Sequence, residues 1–399
     1  CCNCKTCSIM NGLGGAGAFS DGKYIITNEY GGWLSSFISP SEALNYMEKA
    51  DSILRHFGAT DYRYKPDNEL KKLCLQNGLF MKQGEVKHLG TENNLDIMTK
   101  FVEHLMQQCK IIVDCEVTDV KKSDHVIEAT NYGNVTAKSI LFAVGRSGNS
   151  FLIDWCEKNK IEVYNNSVDI GVRVELPSVI WEDISRKVYD PKISYRSKQY
   201  GDETRMFCFN EGGQVVIENT NGVKTVNGHS YADSLLKSEN SNFALLSTIR
   251  FSEPFKKPIE YIKSIAGIAN YISNDSVIVQ RYGDLINGHR TTLEDLKDST
   301  VHPTLKAYPG DLSLCIPKRQ LDNIIETIAK LDAIAPGTAN YDTLLYGVEC
   351  KYYSARPSMS NFKLDDCTNI FACGDGAGIT RSLAQAAANG LYIADIIML

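Results

Sequence analysis

The sequence predicts an α/β protein in which a mixed, largely antiparallel α+β region is inserted into a unit of helices and strands. Three observations carry this. Residues 369–398 read as a buried strand, a glycine turn and a helix lined with small residues. Up to about residue 150, two amphipathic helices precede a block of short strands. After about Phe151 the chain turns to short strands separated by Gly-rich turns.

At 399 residues the chain is long enough for a large core and for two domains. The formal charge of −6 argues against a broad nucleic-acid surface. No window is long and apolar enough to span a membrane and no signal peptide is visible, so a cytoplasmic address is expected. Of the thirteen cysteines, Cys109, Cys115, Cys208, Cys350 and Cys373 sit singly in apolar runs, where a thiol behaves as a small hydrophobe. Cys1, Cys4 and Cys7 share a three-residue spacing, with Cys2 beside them. A metal or cluster loop, a thiol redox role and plain loop cysteines all stay open there. No fourth ligand stands at matching distance, and no metal site is expected.

Taken in order, Gly12, Gly14 and Gly17 match the dinucleotide pattern formally, but the context fails it. Only Ser8-Ile9-Met10 precedes as a strand, and Phe19-Ser20-Asp21-Gly22 breaks any helix. A glycine-lined cofactor loop is the better reading. Leu44, Met47, Leu54 and Phe57 stand at helical spacing behind Pro40. Leu95, Met98, Phe101, Val102, Leu105 and Met106 predict an amphipathic helix ending near Cys109. A β-rich block follows, with strands at 111–113, 116–120, 126–129 and 135–137 and a turn at Asn134. Strand 140–143 then enters Val144-Gly145-Arg146-Ser147-Gly148. In the inserted region, 168–175 alternates as a half-buried strand, and 193–195, 206–209 and 214–218 are short strands. Segments 261–271 and 319–331 are helices. Leu344 to Glu349 leads back to the final strand.

The C-terminal stretch holds the chemistry. Gly374-Asp375-Gly376-Ala377-Gly378 joins a strand to a helix opening at Thr380 and packed through Ala384, Ala387 and Ala388. This layout points backbone N–H groups, with about half a positive charge, at an anion or an electron-rich ring. Asp375 is placed to accept hydrogen bonds from sugar-like hydroxyls. The competing reading is an ordinary strand-to-helix connection. Elsewhere, Arg173 and Arg205 are placed either to clamp an anionic substrate or to pair with Glu175 and Glu203. His229 sits in a polar glycine turn, as a reactive imidazole or one bonded to local backbone. Lys23 is either a site residue or a solvated lysine.

Cys373 to Thr380, followed by Gln385-Ala386, resembles the C-terminal flavin motif of two-dinucleotide-binding-domain, glutathione-reductase-like FAD oxidoreductases. Four further stretches make the chain similar to a family of functionally uncharacterised FAD-dependent dehydrogenases. They are Gly14-Gly15-Ala16-Gly17-Ala18-Phe19-Ser20-Asp21-Gly22-Lys23, Ala143-Val144-Gly145-Arg146-Ser147-Gly148, Asp169-Ile170-Gly171-Val172-Arg173-Val174-Glu175, and Val226-Asn227-Gly228-His229-Ser230.

The resemblance implies a Rossmann-like FAD-binding domain over 1–150 and 344–399, with a substrate or cap domain inserted at 151–343. It implies FAD held by Gly14, Gly15, Gly17, Ser20 and Asp21, by Val117 through its backbone at the adenine, and by Ala143 and Gly145. Gly374, Asp375, Gly376, Ala377 and Gly378 complete that set. It assigns no catalytic residue; Lys23, His229 and Arg381 are the candidates. The family's first strand–helix–strand unit, with its pyrophosphate turn, has no counterpart here, so a fragment or a second chain supplying that unit is expected. The implied activity is hydride transfer between FAD and a nicotinamide or small organic substrate. NAD(P)H, if it is the electron donor, docks transiently, since no separate nicotinamide domain is visible. The alternatives are a flavin-dependent RNA-modifying enzyme and a non-catalytic scaffold.

Overall fold

The computed structural model describes residues 12–398 apart from 221, 231–233, 252–254 and 256. Cys1, Cys2, Cys4, Cys7 and Ser8-Ile9-Met10 lie outside the described residues. Two compact units form. An inserted unit takes Pro66–Gln83 and Ser167–Tyr352; a flanking unit takes the chain up to Lys65, Gly84–Asn166 and the chain from Tyr353. The sequence reading divides the chain at 150 and 343. The compact units divide it elsewhere because Leu152 and Trp155 of helix Asn149–Lys158 join the flanking core, while strand Leu344–Tyr352 pairs along Val168–Pro177.

The inserted unit is built on an eight-stranded sheet. From one edge its order is Tyr308–Pro309, Ile278–Arg281, Leu344–Tyr352, Val168–Pro177, Asn240–Ile249, Glu203–Asn210, Lys192–Arg196 and Leu79–Lys82. Every neighbouring pair is antiparallel except the first. The mixed, largely antiparallel character expected of this region is therefore present. Helix Lys318–Leu331 lays Leu321, Ile324, Ile328 and Leu331 into the same core as Ile170, Val172 and Val174.

The opposite side of strand Val168–Pro177 carries Asp169, Gly171, Arg173 and Glu175, and these are buried as well. Hence the strand is buried from Val168 to Leu176 rather than alternating. One cover is the hairpin Gln214–Thr220 and Val223–His229, whose Val215 and Val226 pack with Leu344 and Tyr346.

That cover explains two sequence motifs. Arg173, fully buried, meets fully buried Glu349 at 3.4 Å, and its Nε donates to Asn242 Oδ1 at 2.9 Å. Gly228 lies directly against it: a Cβ there would stand 1.8 Å from Arg173 Nη2. His229 ends a strand rather than sitting in a glycine turn, and it is exposed. Arg205 pairs with Asp169 at 2.7 Å. Neither arginine takes the partner expected from sequence, because both Glu175 and Glu203 lie elsewhere in the register. Glu175 instead accepts from Tyr346 Oη at 2.5 Å, from the Thr304 N–H at 3.2 Å and from the Thr304 hydroxyl.

In the flanking unit, a four-stranded sheet runs Met359–Ser360, Lys363–Leu364, Ile370–Ala372, Ile140–Phe142, the last two parallel. A meander of Val117–Lys121, Val126–Ala129 and Gly133–Thr136 stands beside it in sequence. Its second turn lies at 130–132 rather than Asn134, and 111–113 carries no strand. Helix Pro40–His56 starts at a capping box, with Ser39 Oγ accepting from the Glu42 N–H at 3.2 Å. The buried Asp51 of that helix meets buried Lys87 at 2.7 Å and Arg63 at 2.6 Å, which ties the helix to the strand Glu85–His88. Of the cysteines expected to be apolar filler, Cys373 is buried, but Cys109 and Cys208 are exposed.

Candidate cofactor site

The site grows from the parallel pair Ile140–Phe142 and Ile370–Ala372. Parallel neighbours end at the same edge of the sheet, so their two following loops emerge side by side. The loops 143–149 and 374–378 are in direct contact. At Gly376 a Cβ would stand 2.2 Å from the Gly145 carbonyl oxygen and 2.8 Å from Val144 Cγ2. Asn149 Nδ2 donates to the Gly376 carbonyl at 2.8 Å and to the Ala355 carbonyl at 3.0 Å. Asn389 Oδ1, from the last helix, accepts the Gly374 N–H at 2.8 Å. Gly378 is enclosed by Ser354, Asn166 and Arg356, and Ala377 is buried.

Two features of this pair fit a bound dinucleotide. Gly145 and Gly374 have φ of 64° and 75°, and nothing lies within 4 Å of where a Cβ would be. Bare backbone therefore faces open space there. Asp375 is held by Arg146 through Nε at 3.1 Å and Nη2 at 3.0 Å, but both contacts go to Oδ2. Its side chain is 32% exposed, leaving Oδ1 available to a hydroxyl donor.

The expected helix start is corrected. Asp375–Ala377 form a 3-10 turn, and the helix begins at Leu383, not Thr380. Gly378, with φ 69°, turns the chain away. Residues 379–381 instead bridge to 31–33, with the Trp33 N–H donating to the Ile379 carbonyl at 2.8 Å and the Arg381 N–H to the Gly31 carbonyl at 2.9 Å. The helix N-terminus is thereby separated from the glycine turn, and Ser382 Oγ accepts the Gln385 N–H at 3.2 Å.

Around this core the other sequence-predicted residues fall into groups. Gly14, Gly15 and Gly17 lie on a turn that includes the 3-10 stretch Gly15–Gly17, with no helix after it before strand Lys23–Ile26. The loop touches the last helix, since a Cβ at Gly17 would stand 2.9 Å from Leu383 Cδ2. Ser20 Oγ donates back to the Gly17 carbonyl at 2.8 Å. Asp21 meets Lys23 at 3.4 Å and His88 Nε2 at 3.6 Å. Burial alone would raise the Asp21 carboxyl, but the His88 hydrogen bond and the Lys23 charge outweigh it and hold it at about 2. Arg381 stacks on Tyr353, its guanidinium carbon 3.5 Å from the ring centroid, with Trp33 at 5.6 Å. Ala143 is exposed; Val117, on the meander, is 39% exposed. His229 belongs to the inserted unit.

Sequence reasoning missed Asn149, Asn389, His88 and the aromatic partners of Arg381. Only Asn389 carried a signal, as one of two amides, with Gln385, among the small residues of the last helix. Among the described residues no group of three His, Cys, Asp or Glu side chains is arranged to hold a metal, and no helix is long and apolar enough to cross a membrane.

Comparison with known proteins adds the following. Residues 167–352 match the family described as FAD-dependent protein, C-terminal domain-like. An uncharacterised protein from Clostridium beijerinckii is 24% identical over 422 aligned positions, covering 98% of this chain and 70% of that protein. Among solved structures, glycine oxidase from Geobacillus kaustophilus is 10% identical with a TM-score of 0.37, covering 96% of this chain and 85% of that one. L-Proline dehydrogenase from P. horikoshii is 11% identical with a TM-score of 0.37, covering 92% and 80%.

Proposed function

We propose that this protein is an FAD-dependent oxidoreductase whose flavin is held by the flanking unit. The observation that carries the reading is the joined pair of loops, with open backbone at Gly145 and Gly374 beside the half-exposed Asp375. The match of residues 167–352 to a family of FAD-dependent proteins supports it from the other unit. When bound, a flavin supplies two-electron and hydride chemistry. The chain's own residues bind and orient it. Asp375 Oδ1 would accept a ribityl or ribose hydroxyl, Arg146 fixes that carboxylate, Asn149 ties the two loops together, and Asn389 ties the second loop to the last helix. Arg381, stacked on Tyr353, places a positive charge at the start of the last helix. Asp21, ionised throughout the neutral range, keeps Lys23 and His88 oriented on the first loop.

The substrate is a small molecule or a reduced nicotinamide. Reconstitution with FAD followed by anaerobic mixing with NADH, NADPH and a panel of amino and hydroxy acids tests this reading. A bound yellow chromophore bleached by one donor class is the expected result and names the donor. Absence of bound flavin, both alone and in cell extract of the source organism, would overturn it.

A further inference from the structure

We infer that Asn94 is a positioning residue of the flavin site, acting through the loop 17–21; this rests on the flavin reading above. Asn94 stands in the first turns of helix Thr91–Gln108 and is fully buried. Its Nδ2 donates to three carbonyls of one loop: Gly17 at 2.7 Å, Ala18 at 3.1 Å and Ser20 at 3.2 Å. The neighbouring carbonyls are taken from the same protein side. The Gly90 N–H donates to Asp21 O at 2.9 Å and the Leu89 N–H to Gly22 O at 3.2 Å.

A trans peptide is planar, with its carbonyl and the following N–H pointing in opposite directions. Turning the Ala18 carbonyl towards Asn94 therefore sends the Phe19 N–H away from it, and turning the Ser20 carbonyl inward does the same for the Asp21 N–H. Neither N–H has a protein acceptor among the described residues. Two amide donors two residues apart, on the outer side of one loop, form a cradle for an electron-rich oxygen. The loop's own acidic side chain does not fill it, because the Asp21 carboxylate is held by Lys23 and His88.

Only an amide does this work at position 94. An alanine leaves the Ala18 and Ser20 carbonyls without a donor, while the Gly17 carbonyl keeps Ser20 Oγ at 2.8 Å; an aspartate of the same shape repels all three. The arrangement thus assigns Asn94 the task of aiming the Phe19 and Asp21 amides at an acceptor oxygen of the flavin, with no contact of its own to the cofactor.

The test compares wild type, Asn94→Asp and Asn94→Ser, with FAD as the titrated probe. Hydrogen exchange of peptides covering 16–22 is read first without FAD. Asn94→Asp should speed exchange in that loop, with the rest of the flanking unit unchanged; equal exchange refutes the clamp whatever FAD does. FAD is then titrated by flavin fluorescence and visible spectrum. Asn94→Asp should weaken binding at least tenfold and shift the bound-flavin absorbance bands, and Asn94→Ser, which keeps one donor, should fall between it and wild type. Equal affinity and identical spectra in all three proteins would overturn the positioning role while leaving the flavin reading intact. No binding by wild type, even with an accelerated loop in Asn94→Asp, would instead overturn the flavin reading on which the aim of the two amides depends.

Discussion

Asp375 and Gly376 are neighbours with different jobs, and substitution separates them. Asp375→Ala removes a charged acceptor from an exposed edge. A hydrogen bond to a charged group contributes about 1.5–3 kcal/mol at most in such a position, so FAD occupancy should drop roughly tenfold or more while the melting temperature changes little. Gly376→Val acts on the protein itself, because its Cβ would stand 2.2 Å from the Gly145 carbonyl. Sequence alone suggests a collision with the cofactor and an unharmed fold. The structure places the collision inside the chain, where overpacking costs about 1–3 kcal/mol. Melting temperature should fall even without FAD, and flavin absorbance per protein, measured beside it, discriminates the two variants. Glu175 offers a third residue-scale outcome. Burial raises its carboxyl above the ordinary range, with Thr304 and Tyr346 opposing. A raised carboxyl contributes stability that is full below its unfolded pKa and is lost as pH rises through the folded value. Wild type should therefore lose stability relative to Glu175→Gln as pH rises above about 4, as read by melting temperature against pH. A constant difference across that window would show that Glu175 titrates normally.

At the scale of elements, the last helix is fastened to the segment 27–34 by one side chain. Gln385 Nε2 donates to the Thr27 carbonyl at 3.3 Å and the Tyr30 carbonyl at 3.1 Å, and its Oε1 accepts the Leu34 N–H at 3.4 Å. Gln385 is almost fully buried. Gln385→Ala removes all three hydrogen bonds from a buried position, at a cost of about 1–3 kcal/mol. Hydrogen exchange in 27–34 should accelerate, and the bridge from Gly32 to Thr380 should loosen with it. Unchanged exchange there would mean that the bridge alone holds the segment. Helix positions were legible because Pro40 and the periodic apolar stripes are local signals. The start of the last helix was not, since the bridge to residues 31–33 that delays it is formed by chain more than 340 residues away in sequence.

At the scale of the whole molecule, the inserted unit draws on a piece that sequence order hides. Strand Leu79–Lys82 adds the eighth strand beside Lys192–Arg196, and Leu70, Cys74, Leu79 and Met81 enter the same core as Ile193 and Tyr195. A fragment of 167–352 alone should expose that edge and aggregate. Joining 66–83 to it through a flexible linker should restore a cooperative melt. Size-exclusion chromatography and thermal unfolding of the two fragments check this, and equal behaviour would show that the eighth strand is dispensable. What the sequence by itself determined here is the α/β class, the antiparallel character of the insertion, most element positions and the strand–glycine turn at 369–378. Each of these is written in contiguous residues, as periodicity, caps or turn chemistry. Tertiary structure alone decided that Arg173 pairs with Glu349, that Gly376 is glycine because of Gly145, and that Asn94 and Asn149 hold the loops. Such pairings depend on which surfaces meet once distant strands are in register, and no local pattern encodes that.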